Sequence, residues 1–570
     1  MCGIFAFLNN NSYNPLFDIE HIKQQFMLSQ SRGPESSIWN ELTPYTYFGF
    51  HRLAINGLNT KSNQPFFIDD CVLICNGEIY NYKELYKCLP DNIPKSDSDC
   101  EIIIHLYKKY GIEYTLNNLD GEFAFILYDL NNQKIFVARD PYGVRPLFQL
   151  TLKYSQIEYF GFSSELKQLC KLDTSISQFK PSTYSTLVFE NNQWNMDQNQ
   201  IYYTNTGFYT MVLQDISENN LHYIYDLVRI NFINTVKKRV VGTTDRPVAC
   251  LLSGGLDSSL VTSIVSKFVP NLETYSIGLK GSEDLKYAKI VANFLGTKHH
   301  EVIVTEDDFF NSIPKVIDSI ESYDTTTVRA SVGNYLISKY ISENSTAKVI
   351  FNGDGSDELT GGYLYMNACP NDIEFDFECR RLLENIHFFD GLRSDRTISC
   401  NGLEARTPFL DRGWVQFYLS IPKNYRNHIT CNKPEKYILR EAFNTEIIKN
   451  GIKSEEWLPQ SVLFRTKEAF SDGVSSLQKS WYEIIQEKVN KKFKDSEILF
   501  LNYNNKVNPP ETLEQLYYRN IFDNLYSKCE KVIPYFWMPN YVDAKDASAR
   551  TLSVYQKNNS NIKKKEQVYL

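Results

Sequence analysis

Two hydrophobic rhythms divide the chain. From Leu221 the apolar positions Ile224, Leu227, Val228, Phe232 and Val236 recur at helical spacing, which predicts a helix over 221–240. The run Val248-Ala249-Cys250-Leu251-Leu252 follows, apolar on both faces like a buried parallel strand. The rhythm then repeats: a helix from Leu260 to Phe268, strands over 272–277, 301–304 and 347–351, and a helix over 284–295. Such alternation predicts an α/β domain whose parallel sheet is covered on both faces. Upstream of residue 204 the texture changes. Phe123 to Leu127 and Lys134 to Ala138 flank Asn131-Asn132, a predicted hairpin within alternating sheet and helix. The expected division is therefore a first domain over 2–203, a polar linker over 204–220, a second domain over 221–555 and a disordered tail over 556–570 that carries Lys563-Lys564-Lys565.

At 570 residues the chain is too long for one ordinary core, which agrees with that division. Apolar content of 42% and charged content of 22% describe a globular protein, and a net charge of −8 argues against nucleic acid as a partner. No run is apolar for long enough to span a bilayer, and the start lacks the basic region of a secretory signal. The 12 cysteines are scattered without a zinc set and read as reduced thiols, so a cytoplasmic protein is expected.

Chemistry concentrates first at Ser253-Gly254-Gly255-Leu256-Asp257-Ser258-Ser259. Two glycines free the backbone to turn, and Asp257, Ser258 and Ser259 can cap the helix that starts there. A strand, a glycine turn and a helix start leave N–H groups converging on one point, which suits phosphate. An ordinary well-capped turn would look the same. No Lys follows the glycines, so this is not a Walker loop. The run resembles instead the loop of ATP pyrophosphatases, which split ATP between its α and β phosphates. A second loop, Asn352-Gly353-Asp354-Gly355-Ser356-Asp357-Glu358, follows the strand over 347–351. Ligands of parallel sheets bind beyond the carboxyl ends of the strands, where both loops lie. Asp257 and Asp357 are thus candidates to face one site, and two carboxylates beside a triphosphate call for Mg²⁺.

The second concentration is at the N-terminus. Removal of Met1 would give Cys2 a free α-amine beside its own thiol, a nucleophile and base in one residue. Cys2-Gly3-Ile4-Phe5, Arg32-Gly33-Pro34-Glu35, His51-Arg52-Leu53-Ala54-Ile55 and Asn76-Gly77-Glu78-Ile79-Tyr80-Asn81 together resemble a class II glutamine amidotransferase domain. That resemblance implies an αββα fold of the N-terminal-nucleophile type, with Cys2 attacking the glutamine amide. It implies Arg52 on the substrate α-carboxylate, with Leu53, Ala54, Ile55 and Asn56 beside it. Asp99 would hold the α-ammonium, Glu78 would help at the amide end, and Asn76 with the Gly77 N–H would form the oxyanion hole. Two departures stand out: Ser31 where a His is usual, and Glu35 in place of Asp.

The second domain is similar to the asparagine synthetase family. The similarity rests on Ser276-Ile277-Gly278-Leu279, Thr325-Thr326-Thr327-Val328-Arg329-Ala330-Ser331, Glu404-Ala405-Arg406-Thr407-Pro408-Phe409-Leu410-Asp411 and Arg465-Thr466-Lys467-Glu468-Ala469-Phe470-Ser471-Asp472-Gly473. It implies a fold of the ATP-pyrophosphatase type, with Leu252, Ile277 and Gly353 on the adenosine part of ATP. Thr326 and Arg329 would bind aspartate, and Lys467 would neutralise the α-phosphate. The expected substrates are glutamine, aspartate and ATP, and a homodimer is among the assemblies the resemblance allows. The family commonly has Ser and Glu where this chain has Asn352 and Asp354, and the acid at the second of these positions is implicated in forming the adenylate. A β-lactam-forming relative and a catalytically silent homologue stay open as alternatives. Cys2 and the Thr-Arg segment speak against the first, and Cys2, Asp257, Asp357 and Lys467 speak against the second.

Overall fold

The computed structural model describes residues 1–204, 218–444, 456–465, 473–475, 479–493, 500–503, 506–544 and 546–548. Most of the expected linker, Lys467 and the tail therefore lie outside the described residues.

The first half stacks two antiparallel sheets. One has six strands, with Gly3–Leu8 near its centre between Thr46–Arg52 and Ile157–Ser163. The other has seven, including Cys71–Ile79 paired with Gly121–Asp129. The predicted hairpin is present: Gly121–Asp129 pairs with Lys134–Arg139, Asp129 opposite Lys134. Alternation along the strands sends Ile4, Ala6, Phe48, Val72, Ile74 and Ala124 into a core between the sheets. Phe5 and Phe7, on the opposite face, pack with Ile22 and Phe26 of the helix Ile19–Met27. Leu73, Phe123 and Phe125 meet Ile102 and Leu116 of the segment Ile102–Asn118 on the far side. This is the αββα sandwich.

The second half is built on a parallel sheet of five strands in the order Lys298–Val304, Glu273–Leu279, Val248–Leu251, Val349–Phe351, Glu404–Arg406. Four of these strands match the sequence pattern. The fifth was legible only as a motif, since three residues show no periodicity. Val248–Leu251 has its two neighbours on opposite sides, so the chain reverses direction of growth there, and a crevice opens at the carboxyl end of such a strand. Helix Leu256–Ser266 starts earlier than its periodicity suggested, because the glycine turn lies immediately before it.

The halves meet through a layer of buried charge. Arg32, Arg139, Arg145, Arg239, Arg396 and Arg406 are all fully buried. Helix Asp390–Ser399 of the second half carries much of this layer, and its residues from Gly391 to Ser399 are buried despite their polarity. Asp395 accepts both terminal nitrogens of Arg32, at 2.7 and 3.3 Å. Arg396 lies 2.9 Å from Glu165 and from Glu321. Burial alone would push the Asp395 carboxyl up, but Arg32, Arg396 and Arg145 outweigh it and hold it below the usual range. Apolar clusters also cross the boundary, joining Leu53, Ile55 and Tyr142 to Phe232 and Phe409. Removing one partner of a buried pair strands the other charge. Asp395→Ala is therefore expected to destabilise the protein by about 3–5 kcal/mol in urea titration, and a loss below about 1 kcal/mol would show that Arg32 finds other compensation.

Candidate active sites

Cys2 immediately precedes the central strand Gly3–Leu8, so its position is set by a rigid element rather than a loose terminus. It is half-buried, and its thiol donates to the Leu53 carbonyl at 3.5 Å. Burial pushes the thiol pKa up. Met1 is present, so the Cys2 nitrogen is an amide; the Met1 amine is itself buried, donates to the Leu403 carbonyl at 3.0 Å, and is lowered to about 5 by desolvation.

On Cys71–Ile79, Asn76 is buried and its side-chain amide nitrogen has no hydrogen-bond partner among the described residues. Gly77 approaches the neighbouring strand so closely that a Cβ would lie 2.5 Å from the Glu122 carbonyl. Asn56 donates to Glu78 at 2.8 Å and to Asp99 at 3.4 Å, and the Ile79 N–H donates to Asp99 at 2.6 Å. Burial raises both acids, Asp99 to about 6 and Glu78 well above the carboxylate range with Asp99 as its next largest cause. Arg406 lies 3.3 Å from Glu78. The Arg52 guanidinium donates to the carbonyls of Gly57 and Asn59 and to Asn63. A cleft of about 720 Å³ opens beside Asn56 and Ser98.

Residues 54–57 are gripped from the second half. Asp245 donates its N–H to the Ile55 carbonyl and accepts the Gly57 N–H, both at 2.9 Å. Arg246 donates to the Ala54 carbonyl at 2.8 Å and to Glu35 at 2.6 Å, and the other Glu35 oxygen accepts the Ala54 N–H at 2.9 Å. The Glu at position 35 thus spans from its own domain to Arg246.

In the second half, a cavity of about 190 Å³ lies at the switch point and collects both glycine loops. Leu252, Ser253, Gly255, Asp257, Ser258, Ile277, Asn352, Gly353, Asp354 and Asp357 line it. Gly254 and Ser259 do not. Gly254 instead takes a φ of +74° against Tyr287 and Ala288, where a Cβ would come within 2.5 Å of backbone. The expected capping is not realised. Gly255 is the N-cap residue without a side-chain bond, Ser258 bonds Ser253 at 2.9 Å, and the Ser259 hydroxyl is buried in the helix. The loops touch at Gly353, where a Cβ would lie 2.7 Å from the Ser258 nitrogen.

Asp257 and Asp357 come together, and a lysine lies between them. The Lys436 Nζ is 2.6 Å from an oxygen of each. Asp257 also accepts the Ser356 hydroxyl at 2.8 Å. Asp354 pairs with Arg393 at 2.7 Å, and burial raises its pKa despite that partner. Asn352 donates to Ser394 at 2.7 Å, which leaves it holding the helix Asp390–Ser399 as much as facing the cavity. Thr326 lines the cavity with a buried hydroxyl that lacks a partner among the described residues. Arg329 does not line it. Its guanidinium is doubly bonded to Glu514, at 2.7 and 2.8 Å, and to Asp546, also at 2.7 and 2.8 Å, because a fully buried arginine must be neutralised where it stands. In this structure the Arg329 guanidinium is thus committed to Glu514 and Asp546. Cations that do line the cavity are Arg393, Lys436, Arg440 and Arg465.

The asparagine synthase family matches residues 227–377 and 367–555, and the glutamine amidotransferase domain family matches residues 1–222. Glutamine-hydrolysing asparagine synthetases of Rattus norvegicus and Homo sapiens are each 38% identical to the chain, over 98% of it and 99% of their own length. The chain belongs to the asparagine synthetase family. Within that family's pattern, Lys436 and Arg393 escaped the sequence reading. A lone Lys after Pro434-Glu435 carries no signal, whereas Arg393-Ser394-Asp395-Arg396 in one helix did offer one: dense opposite charge without an apolar stripe marks a buried ionic layer.

Asp99 has a consequence for stability against pH. Its folded pKa of about 6 exceeds its ordinary value of 3.8, so the folded state keeps this proton through pH 4 to 6 while the unfolded state loses it. The penalty is absent below pH 4 and complete above pH 6. Asp99→Asn is expected to gain stability over the parent across that window by about 2–3 kcal/mol, read from urea midpoints at a series of pH values; a difference that stays flat with pH contradicts the assignment.

Proposed function

We propose that the chain makes L-asparagine from L-aspartate and ATP with nitrogen taken from glutamine, leaving glutamate, AMP and pyrophosphate. Support comes from family membership along the whole chain. The observation that carries the second half is the convergence of both glycine loops, with Asp257 and Asp357, on one cavity. The working units are proposed as 2–203, a linker over 204–220, 221–555 and a tail over 556–570, acting in the cytoplasm, with a homodimer as the proposed assembly.

In the first site Cys2, freed of Met1, attacks the glutamine amide carbon, its amine taking the thiol proton. The unpartnered Asn76 amide and the Gly77 N–H stabilise the oxyanion, the step that most needs preorganised donors. Arg52, on the segment running through Leu53, Ala54, Ile55 and Asn56, receives the substrate α-carboxylate, and Asp99 with Glu78 receives the ammonium and amide ends. Ammonia leaves, and water releases glutamate from the thioester.

In the second site ATP lies along Leu252 to Ser258 with Ile277, Asn352 and Gly353, the fold of the loop supplying N–H groups to the phosphates. Gly254 and Ser259 act there as packing residues. The donor set fits Mg²⁺: two carboxylates converge on one point beside a phosphate loop, and Asp257 and Asp357 would hold the ion, which neutralises phosphate charge when bound. Aspartate is held from the Thr326 side, its β-carboxylate attacking the α-phosphorus to give β-aspartyl-AMP and pyrophosphate. Lys467 would approach that phosphorus from outside the described residues. Asp354, raised by burial, is suited to take a proton as ammonia displaces AMP. Water would hydrolyse the adenylate, so ammonia is proposed to travel inside the protein.

Cys2→Ala tests the division of labour. Glutamine-dependent asparagine formation should fall by at least about a thousandfold, while ammonia-dependent formation and its pyrophosphate release stay within about twofold. Loss of both activities, or survival of both, overturns the proposal.

A further inference from the structure

Lys436 does not behave like a lysine that merely fills space. It begins the helix Tyr437–Ala442 in a left-handed conformation, φ +59°, that aims an otherwise ordinary side chain inward. Its stem needs room, and the chain supplies it: a Cβ on Gly362 would lie 2.0 Å from the Lys436 Cε and 2.3 Å from an Asp357 oxygen. The ammonium is almost wholly buried and sits 2.6 Å from both Asp257 and Asp357. These carboxylates stand in the first turns of two different helices, those that follow Val248–Leu251 and Val349–Phe351, and Lys436 comes from a third segment. Three separate stretches of chain thus meet at one charge cluster on the cavity wall.

We propose that Lys436 is a positioning residue that stands in for the divalent ion until nucleotide arrives, so that metal and ATP enter together. This rests on the reading of Asp257 and Asp357 as the metal's ligands. Mg²⁺ takes oxygen ligands at about 2.0–2.1 Å and cannot share the point of convergence with an ammonium. Without nucleotide, the lysine neutralises one of two negative charges, holds the loops at bonding distance, and opposes a second cation. Nucleotide changes the balance, because its phosphates bring the anionic charge that a displaced ammonium needs. A lysine suits this exchange better than an arginine, being a compact point charge on a flexible stem. The resulting coupling is reciprocal: ATP tightens metal binding by the factor by which metal tightens ATP binding.

The test is Mn²⁺ binding to the full-length protein, followed by electron paramagnetic resonance with and without ATP and with aspartate withheld. Wild type should bind Mn²⁺ weakly alone and much more tightly with ATP. Lys436→Met and Lys436→Gln should each bind Mn²⁺ without ATP about tenfold tighter or more than wild type, the scale of one neighbouring charge at a partly dry site. Loss of any neighbouring cation favours a second one, so the stand-in role further requires that the ATP-dependent tightening of wild type shrink in both variants. The gain should vanish in the Asp257→Asn, Lys436→Met double variant. Nucleotide-free affinity that is unchanged or weaker in both single variants overturns the stand-in role while leaving the metal ligands intact. Mn²⁺ binding with ATP that survives both Asp257→Asn and Asp357→Asn overturns the ligand assignment and the proposal with it.

Discussion

A guanidinium taken out of water must find partners where it is buried, and among the described residues six are buried completely where the halves meet, five against carboxylates and Arg139 against backbone carbonyls and Gln178. That requirement ties the two domains together more specifically than apolar contact could. Arg32 of the amidotransferase half finds Asp395 in the synthetase half; Arg396 finds Glu165 in return; Arg406 reaches back to Glu78. Each pair fixes a register, because a slip of one helical turn would leave charges unpaired in a dry interface. Arg406 shows the reach of this arrangement. Its backbone sits on the last strand of the parallel sheet, where its carbonyl accepts the Asn352 N–H at 3.2 Å, and its side chain lies 3.3 Å from Glu78 of the proposed glutamine site. One residue therefore borders both centres.

Much of this was readable in the sequence, for reasons that differ by element. Buried parallel strands such as Val248–Leu251 announce themselves because both faces are apolar, and the glycine loops because few residue types tolerate their backbone. Cys2, Asn76 and Gly77 were legible as a pattern in order along the chain. What escaped was long-range pairing. The sequence around Arg329 cannot show that Glu514 and Asp546 will occupy its guanidinium, and nothing near Lys436 says that two distant aspartates await it. Local capping also misled, since Asp257 and Ser258 found tertiary and loop partners that outcompete the helix start.

The departures from the family pattern are absorbed locally. Glu35 uses its extra length to accept from both Ala54 and Arg246. Asn352 spends its amide on Ser394, and Asp354 sits against Arg393 one residue earlier, so both substitutions lean on the same helix, Asp390–Ser399. That helix also supplies Asp395 and Arg396 to the interface. The changes at the second glycine loop are thus part of the ionic layer and are not isolated variations on a binding motif.

The grip of Asp245 and Arg246 on residues 54–57 has a temporal side. A ribosome makes the chain from its N-terminus, and domains generally fold in that order. The Gly57 N–H, however, is met by a carboxylate 188 positions downstream. The amidotransferase half therefore emerges without the contacts that hold this loop, and acquires them only as the first strand of the synthetase sheet is being made. Order of synthesis and order of completion are different in this protein: the half that comes first is completed only by residues of the half that follows.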